Sequence, residues 1–231
     1  MNKEQRAYMC DVNTREDETH GNILEGIPIV YDAATDIGGM WKEIIDRGAL
    51  DQADLKDVRF LVNHDVDSIP LARSRNNNEN STMQLIRTEN GLDIRVDLDT
   101  ENNAEARALY SAVKRGDMTG MSFMFVVDKD SWEDIESDYP KRTVEHIKTV
   151  LEVSAVAFPA YPQTTIQAAS EDTAPDGARA SLESARQELK EKREAEAAAE
   201  EARQAEEAAQ ERRRAALERL NNLIQGGKTH E

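Results

Sequence analysis

Three short segments of the 231-residue chain each set a reactive side chain at or near the end of an apolar run, where a rigid strand can aim it. In Arg59-Phe60-Leu61-Val62-Asn63-His64-Asp65, His64 comes just after a predicted strand. An imidazole there can move protons, or can simply be satisfied by its neighbours. In Gly116-Asp117-Met118-Thr119-Gly120-Met121-Ser122-Phe123-Met124-Phe125, Ser122 opens an apolar and aromatic run. Burying an unpaired hydroxyl costs about 1–3 kcal/mol, so either a backbone acceptor or a chemical partner must meet it. Gly120 is placed to let the main chain approach a ligand closely. In the stretch from Ile147 to Pro162, period-two alternation sends Glu152 to the same face as Val150, Ser154 and Val156. A carboxylate among apolar neighbours needs a partner. Lys148 on that face is one candidate, and a histidine from elsewhere is the other.

A serine, a histidine and a carboxylate on separate strands supply what acyl transfer requires. The hydroxyl is a poor nucleophile until a base takes its proton, and the imidazole must be held in the right tautomer by a third group. Asp65 and Asp67 beside His64 also form a fragment of a metal site, but His20, His146 and His230 stand apart in the sequence. No metal or other cofactor is expected.

The elements that would position these residues can be read from periodicity and punctuation. Met83 to Arg87 and Leu92 to Leu98 flank Asn90-Gly91, and Leu92, Ile94, Val96 and Leu98 alternate with Asp93, Arg95 and Asp97. This predicts a hairpin with one wet face. Met40 to Arg47 places Trp41, Ile44 and Ile45 at helical spacing and stops at Gly48. Thr100 to Arg115 is predicted as a helix that starts at an Asp/Thr cap and stops at Gly116. Further strands are predicted at Val58 to Val62, Met121 to Val127 and Lys148 to Phe158, giving a β-rich module with about two helices laid against a sheet or barrel.

Composition changes near residue 170, where Ser170-Glu171-Asp172-Thr173-Ala174-Pro175-Asp176-Gly177 reads as a linker. Residues 181–220 contain no Gly, Pro, aromatic or β-branched residue, so they favour a helix. If continuous, these 40 residues would make a rod of roughly 60 Å. Leu182, Leu189, Leu217 and Leu220 are its large apolar residues, and Glu194 to Glu211 offers only alanines to a coiled-coil seam. The segment reads as a solvated helix or as half of a weak assembly. The division expected is a domain at 1–169, a linker at 170–180, a charged helical tail at 181–225 and a disordered end at 226–231.

Bulk properties narrow the function. The 29 Lys and Arg against 46 Asp and Glu give a net charge of −17, which argues against nucleic-acid or anionic-membrane partners. Cys10, the single cysteine, excludes a disulfide framework and a cysteine-rich zinc site. Residues 1–10 lack the apolar core of a secretory signal, and no run approaches the roughly 18 apolar residues of a membrane span. A soluble, intracellular protein is expected.

Taken together, these motifs resemble the prohead, or capsid maturation, proteases of tailed bacteriophages, whose fold is similar to that of herpesvirus assemblin proteases. The likeness covers roughly residues 4–168. It rests on Ile23-Leu24-Glu25-Gly26-Ile27-Pro28-Ile29-Val30-Tyr31-Asp32, Trp41-Lys42-Glu43-Ile44-Ile45, Gly48-Ala49-Leu50, Leu61-Val62-Asn63-His64-Asp65, Leu71-Ala72-Arg73, Gly91-Leu92, Gly120-Met121-Ser122-Phe123, Leu151-Glu152-Val153-Ser154-Ala155-Val156 and Pro159-Ala160-Tyr161-Pro162. Each motif is weak singly, but their order and spacing are specific.

The resemblance implies an α+β, β-rich fold: a herpesvirus-protease-like β-barrel with flanking helices, a linker and a long helical tail. It implies a serine endopeptidase with Ser122 as nucleophile, His64 as general base and Glu152 as orienting carboxylate. Its implied partners are the major capsid protein, or that protein's scaffolding part, and the procapsid shell, with self-cleavage and a homo-oligomer also on the pattern. It would act in the host cytoplasm inside the assembling procapsid. Relatives often carry a glycine two residues after the serine, where this chain has Met124. The rival reading is a non-catalytic scaffold or minor capsid protein acting through the tail.

Overall fold

The computed structural model describes residues 3–9, 12–17, 21–157 and 176–226. In chain order the elements are β1 (Glu4–Met9), β2 (Asn13–Asp17), β3 (Gly21–Val30), β4 (Thr35–Ile37), β5 (Trp41–Ile45), β6 (Asp57–Val62), β7 (Ala72–Arg75), β8 (Met83–Arg87), β9 (Gly91–Leu98), α1 (Ala104–Arg115), β10 (Gly120–Glu133), β11 (Lys141–Val156) and α2 (Asp176–Gly226). A seven-stranded sheet runs β1-β10-β11-β5-β4, with β6 on β11 and β7 on β6, and a four-stranded sheet runs β2-β3-β9-β8. The fold is thus mixed α+β and rich in strand.

The expected barrel is not formed. Closing a sheet requires its terminal strands to pair, and among the described residues β1 and β4 end the path of the larger sheet without meeting. The long strand β11 carries a branch. One of its edges is shared, with β5 parallel along Lys141 to Val144 and β6 parallel along Glu152 to Ala155, while β10 holds the other edge. The sheet therefore branches at β11. Its inner face joins the smaller sheet and α1 in one core that includes Phe60, Met83, Leu92, Ile94, Leu109, Phe123 and Phe125.

The predicted hairpin is present as β8 and β9, with Met83 opposite Val96 and Arg87 opposite Leu92. Gly91 is required at its turn, because a Cβ there would lie 1.8 Å from the Ile29 carbonyl oxygen. Helix α1 ends at Gly116 as expected, in the left-handed conformation, but it starts later than the Asp/Thr cap predicted at Thr100. Asn103 caps it instead, its side chain accepting from the N–H groups of Glu105 and Ala106. Ala106, Leu109, Tyr110 and Val113 form its buried face.

The helix predicted at Met40 to Arg47 is strand β5, so one helix rather than two lies against the sheets in this part of the chain. Trp41, Glu43 and Ile45 point inward and alternate with Lys42 and Ile44. An inward glutamate is possible because Arg6 and Arg142 reach it. Arg6 donates to Glu43 through both Nε and, at 2.7 Å, Nη2, and it donates to Glu4 at 2.7 Å. Arg142 donates to Glu4 at 2.6 and 3.0 Å, to Glu43 at 3.0 Å and to Asp130 at 2.6 Å. This buried cluster ties β1, β5, β10 and β11 together.

Burial alone would raise the Glu43 carboxyl, but the Arg6 and Arg142 guanidiniums outweigh it and hold the group at about 2, against 4.5 unperturbed. The folded value lies below the unfolded one, so the stabilisation is complete above about 4.5 and fades as pH falls towards about 2. The thermal midpoint should decline through that window, and less steeply in a Glu43→Gln chain. Parallel declines in the two proteins would contradict the assignment.

Two compact units divide the chain, Met1–Glu183 and Ser184–Glu231. Helix α2 begins at Asp176, inside the linker expected at 170–180. Its first turns belong to the first unit: Ala178 is buried with Ile37 and Trp41, and Ser181 accepts from Trp132 Nε1 at 3.0 Å and donates to Asp130 at 2.7 Å. In the second unit residues 184–219 are exposed apart from the half-buried Ala185 and Leu189, with spaced ion pairs such as Lys190–Glu194 and Arg214–Glu218. No helix among the described residues is long and apolar enough to cross a membrane. Cys10, His20, Phe158, the Pro159 to Pro162 motif, residues 170–175 of the linker and residues 227–231 lie outside the described residues.

Candidate active site

Ser122 is the third residue of β10, and β10 is paired on both sides there, with Ala7 of β1 and Ser154 of β11 directly across. Strand alternation sends Phe123 and Phe125 into the core and leaves Ser122 and Met124 on the opposite face. The two phenyl rings stack at 4.7 Å and anchor the strand. The nucleophile-type side chain therefore stands on a rigid, doubly paired strand rather than on a loop.

His64 lies two residues beyond β6, and its direction is set by an uncommon turn. Asn63 and His64 are both left-handed, with φ of 49° and 61°. Such a conformation costs roughly 1–2 kcal/mol per residue, so it persists only where contacts impose it. Here the Asn63 N–H donates to the Ala155 carbonyl at 2.9 Å, and the His64 N–H donates to Ser154 Oγ at 3.1 Å. The turn brings the imidazole back over the sheet.

Glu152 faces the same side, but not for the reason the sequence suggests. The β10–β11 register pairs Met124 with Glu152 and Phe125 with Val150, so Leu151 is an extra residue in a bulge. Simple alternation breaks there. Met124 and Phe125 point to opposite faces, hence Glu152 and Val150 do too, and the expectation that they share a face is corrected. Lys148 is exposed, and the partner of Glu152 is His64.

The three side chains form one hydrogen-bonded series. His64 Nδ1 meets Glu152 Oε1, and Nε2 lies 2.5 Å from Ser122 Oγ. Ser122 is 1% exposed and Glu152 2%, while the His64 side chain keeps 18%. Ser122 Oγ also lies 2.8 Å from the Arg6 carbonyl oxygen, so its one proton has two acceptors in reach. An imidazole between a carboxylate and a hydroxyl can take the hydroxyl proton while the carboxylate stabilises the resulting charge. An open groove of about 450 Å³, floored by Leu61, Leu71, Leu109, Ala112 and Met118, runs beside this turn with Asn63 and Asp65 on its edge. Asp65 accepts from Ser68 Oγ at 2.6 Å and from the Asp67 N–H, so it organises the turn.

The sequence model of the Caudovirus prohead serine protease family matches residues 10–177. The chain belongs to this family. It is a serine protease of the phage prohead class. Among solved structures the chain is similar to the bacteriophage T4 capsid assembly protease, gp21, at 13% identity and a TM-score of 0.33, over 66% of this chain and 98% of that one. A search of curated proteins found no match.

Within this prohead protease, Met124 stands across from Glu152 on the face that carries Ser122, where its side chain is half-buried. Sequence reasoning passed over two further contacts. The Arg6 carbonyl could not be foreseen, because nothing in a sequence shows which backbone oxygen a distant strand will offer. Ser154 could have been. It sits in an apolar run like Ser122, so its hydroxyl needs a partner by the same argument, and it lies two residues from the carboxylate on one face.

Proposed function

We propose that Ser122, His64 and Glu152 are the catalytic residues of this prohead protease, in a Ser/His/carboxylate mechanism. Ser122 Oγ attacks the scissile carbonyl as its proton passes to His64 Nε2. His64 then gives that proton to the leaving amine, and a water activated by His64 releases the acyl group from Ser122. Glu152 holds the Nδ1–H tautomer and stabilises the imidazolium. The observation that carries this reading is the convergence of the three side chains from positions 58 and 88 residues apart into one hydrogen-bonded series. The groove beside His64 would receive the substrate polypeptide.

The proposed substrates are the scaffolding part of the capsid protein, or a separate scaffold, inside the newly assembled procapsid, together with the chain itself. Exposed over residues 190–219 and rich in Ala, Glu and Arg, α2 resembles scaffold helices and would carry the protease into the shell. The linker around Ala174 to Gly177 would be a place to cut. The likeness to herpesvirus assemblin proteases belongs to this reading and rests on the order of the motifs.

Co-expression with the capsid and scaffold polypeptides of the same phage tests it. The wild-type chain should shorten the capsid or scaffold polypeptide by intact mass, and a Ser122→Ala chain should leave every polypeptide at full length. Equal masses in the two cultures would overturn the reading.

A further inference from the structure

Ser154 is completely buried, directly opposite Ser122 in the register, and the mechanism above gives it no part. Its hydroxyl makes two contacts, both to that machinery. It accepts the His64 backbone N–H at 3.1 Å and donates to Glu152 Oε2 at 2.6 Å. Since Glu152 Oε1 meets the His64 ring, these contacts close a loop: His64 main chain to Ser154, Ser154 to Glu152, Glu152 to the His64 imidazole.

We propose that Ser154 is a positioning residue for proton transfer between Ser122 and His64, acting through this closed loop of hydrogen bonds; the proposal rests on the triad reading. A hydroxyl has one proton and two lone pairs. Because the Ser154 proton goes to Oε2, its lone pair is free for the His64 N–H, and Oε1 is left facing the ring. Oε1 then accepts from Nδ1–H, which leaves the Nε2 lone pair directed at Ser122 Oγ. One buried side chain thereby fixes both the left-handed main chain that aims the imidazole and the carboxylate rotamer that selects its tautomer. Neither can drift without breaking a contact to Ser154.

A serine that merely satisfies the interior would affect stability and leave the chemical step alone. The two roles separate in the full-length protein on three variants, using a fluorophosphonate that phosphonylates an activated serine as the probe. Ser154→Ala should lower the maximal rate of phosphonylation by about 10- to 100-fold, the scale of one hydrogen bond to a charged group, and leave the half-saturating reagent concentration unchanged. The downfield Nδ1–H proton resonance of His64 should be lost or broadened with it. Ser154→Cys fills the same space with a poor donor and should show the same loss without a cavity. Ser154→Thr keeps the hydroxyl and should restore both rate and resonance. A wild-type rate and resonance in the cysteine or alanine variant would overturn the proposal, as would a threonine variant no faster than alanine at equal folded content. Ser122→Ala run alongside keeps the two readings apart: if it is phosphonylated as fast as wild type, the triad reading fails, whereas an unlabelled Ser122→Ala with a fully active Ser154→Ala removes only the role of Ser154.

Discussion

Replacing Ser122 with alanine is expected to lower peptide-bond cleavage by this prohead protease on the order of 10⁶-fold, the scale seen when a triad nucleophile is removed. The fold should survive, because the change deletes one hydroxyl and leaves the doubly paired strand and its stacked phenyl rings in place. His64→Ala should give a loss of similar size, since without a base the hydroxyl keeps its proton. The double variant should be no slower than either single one, because residues that act as a unit do not contribute additively. Glu152→Gln keeps the shape but presents an amide to the ring, and a loss of about 10⁴-fold is the corresponding expectation for a wrong tautomer. Intact-mass time courses on the co-expressed capsid or scaffold polypeptide give all four rates. Additive losses in the double variant would argue that Ser122 and His64 act separately.

The second large effect is on stability. Arg142→Ala should cost about 3–5 kcal/mol, the scale for breaking a buried ion pair by removing one partner. The arginine is 1% exposed and serves Glu4, Glu43 and Asp130 together, so its loss leaves Glu4 and Glu43 with Arg6 alone and Asp130 with no cation, held only by the Ser181 hydroxyl. Since folded domains are stable by only about 5–15 kcal/mol, much of the margin would go. β1 should loosen first, because Glu4 and Arg6 fix it to the sheet through these charges. Urea unfolding of the wild-type and variant chains measures the cost, and a midpoint shift near zero would mean that the cluster repacks or takes up water.

The same cluster explains where the sequence was hard to read. Periodicity arguments assume that inward positions are apolar, and here four strands break that assumption. Glu43 alternates inward with Trp41 and Ile45, but a glutamate scores as outward, so the segment matched a helix through Trp41, Ile44 and Ile45 instead. Arg142 hides the first half of β11, which was expected to begin only at Lys148. Glu4 and Arg6 hide β1 altogether. Where inward positions are apolar, as in β8 and β9 or the buried face of α1, pattern and structure agree.

The resemblance implied a joint role for His64, Ser122 and Glu152, whereas the means of bringing these side chains together had no sign in the sequence. A bulge at Leu151 and the left-handed pair Asn63 and His64 are fixed by contacts from β10 and β11, which the local sequence does not show. The branching of the larger sheet likewise lies in one long strand's edge being shared by two partners, a long-range fact with no local signature.

Mapping the adduct formed by a fluorophosphonate tests the central claim most directly. The intact wild-type chain is labelled, digested and sequenced by mass spectrometry beside a His64→Ala chain. Phosphonylation of Ser122 in the wild type, and none in His64→Ala at the same reagent concentration, is the predicted result. A label on another residue, or on Ser122 at the same rate in both proteins, would contradict it.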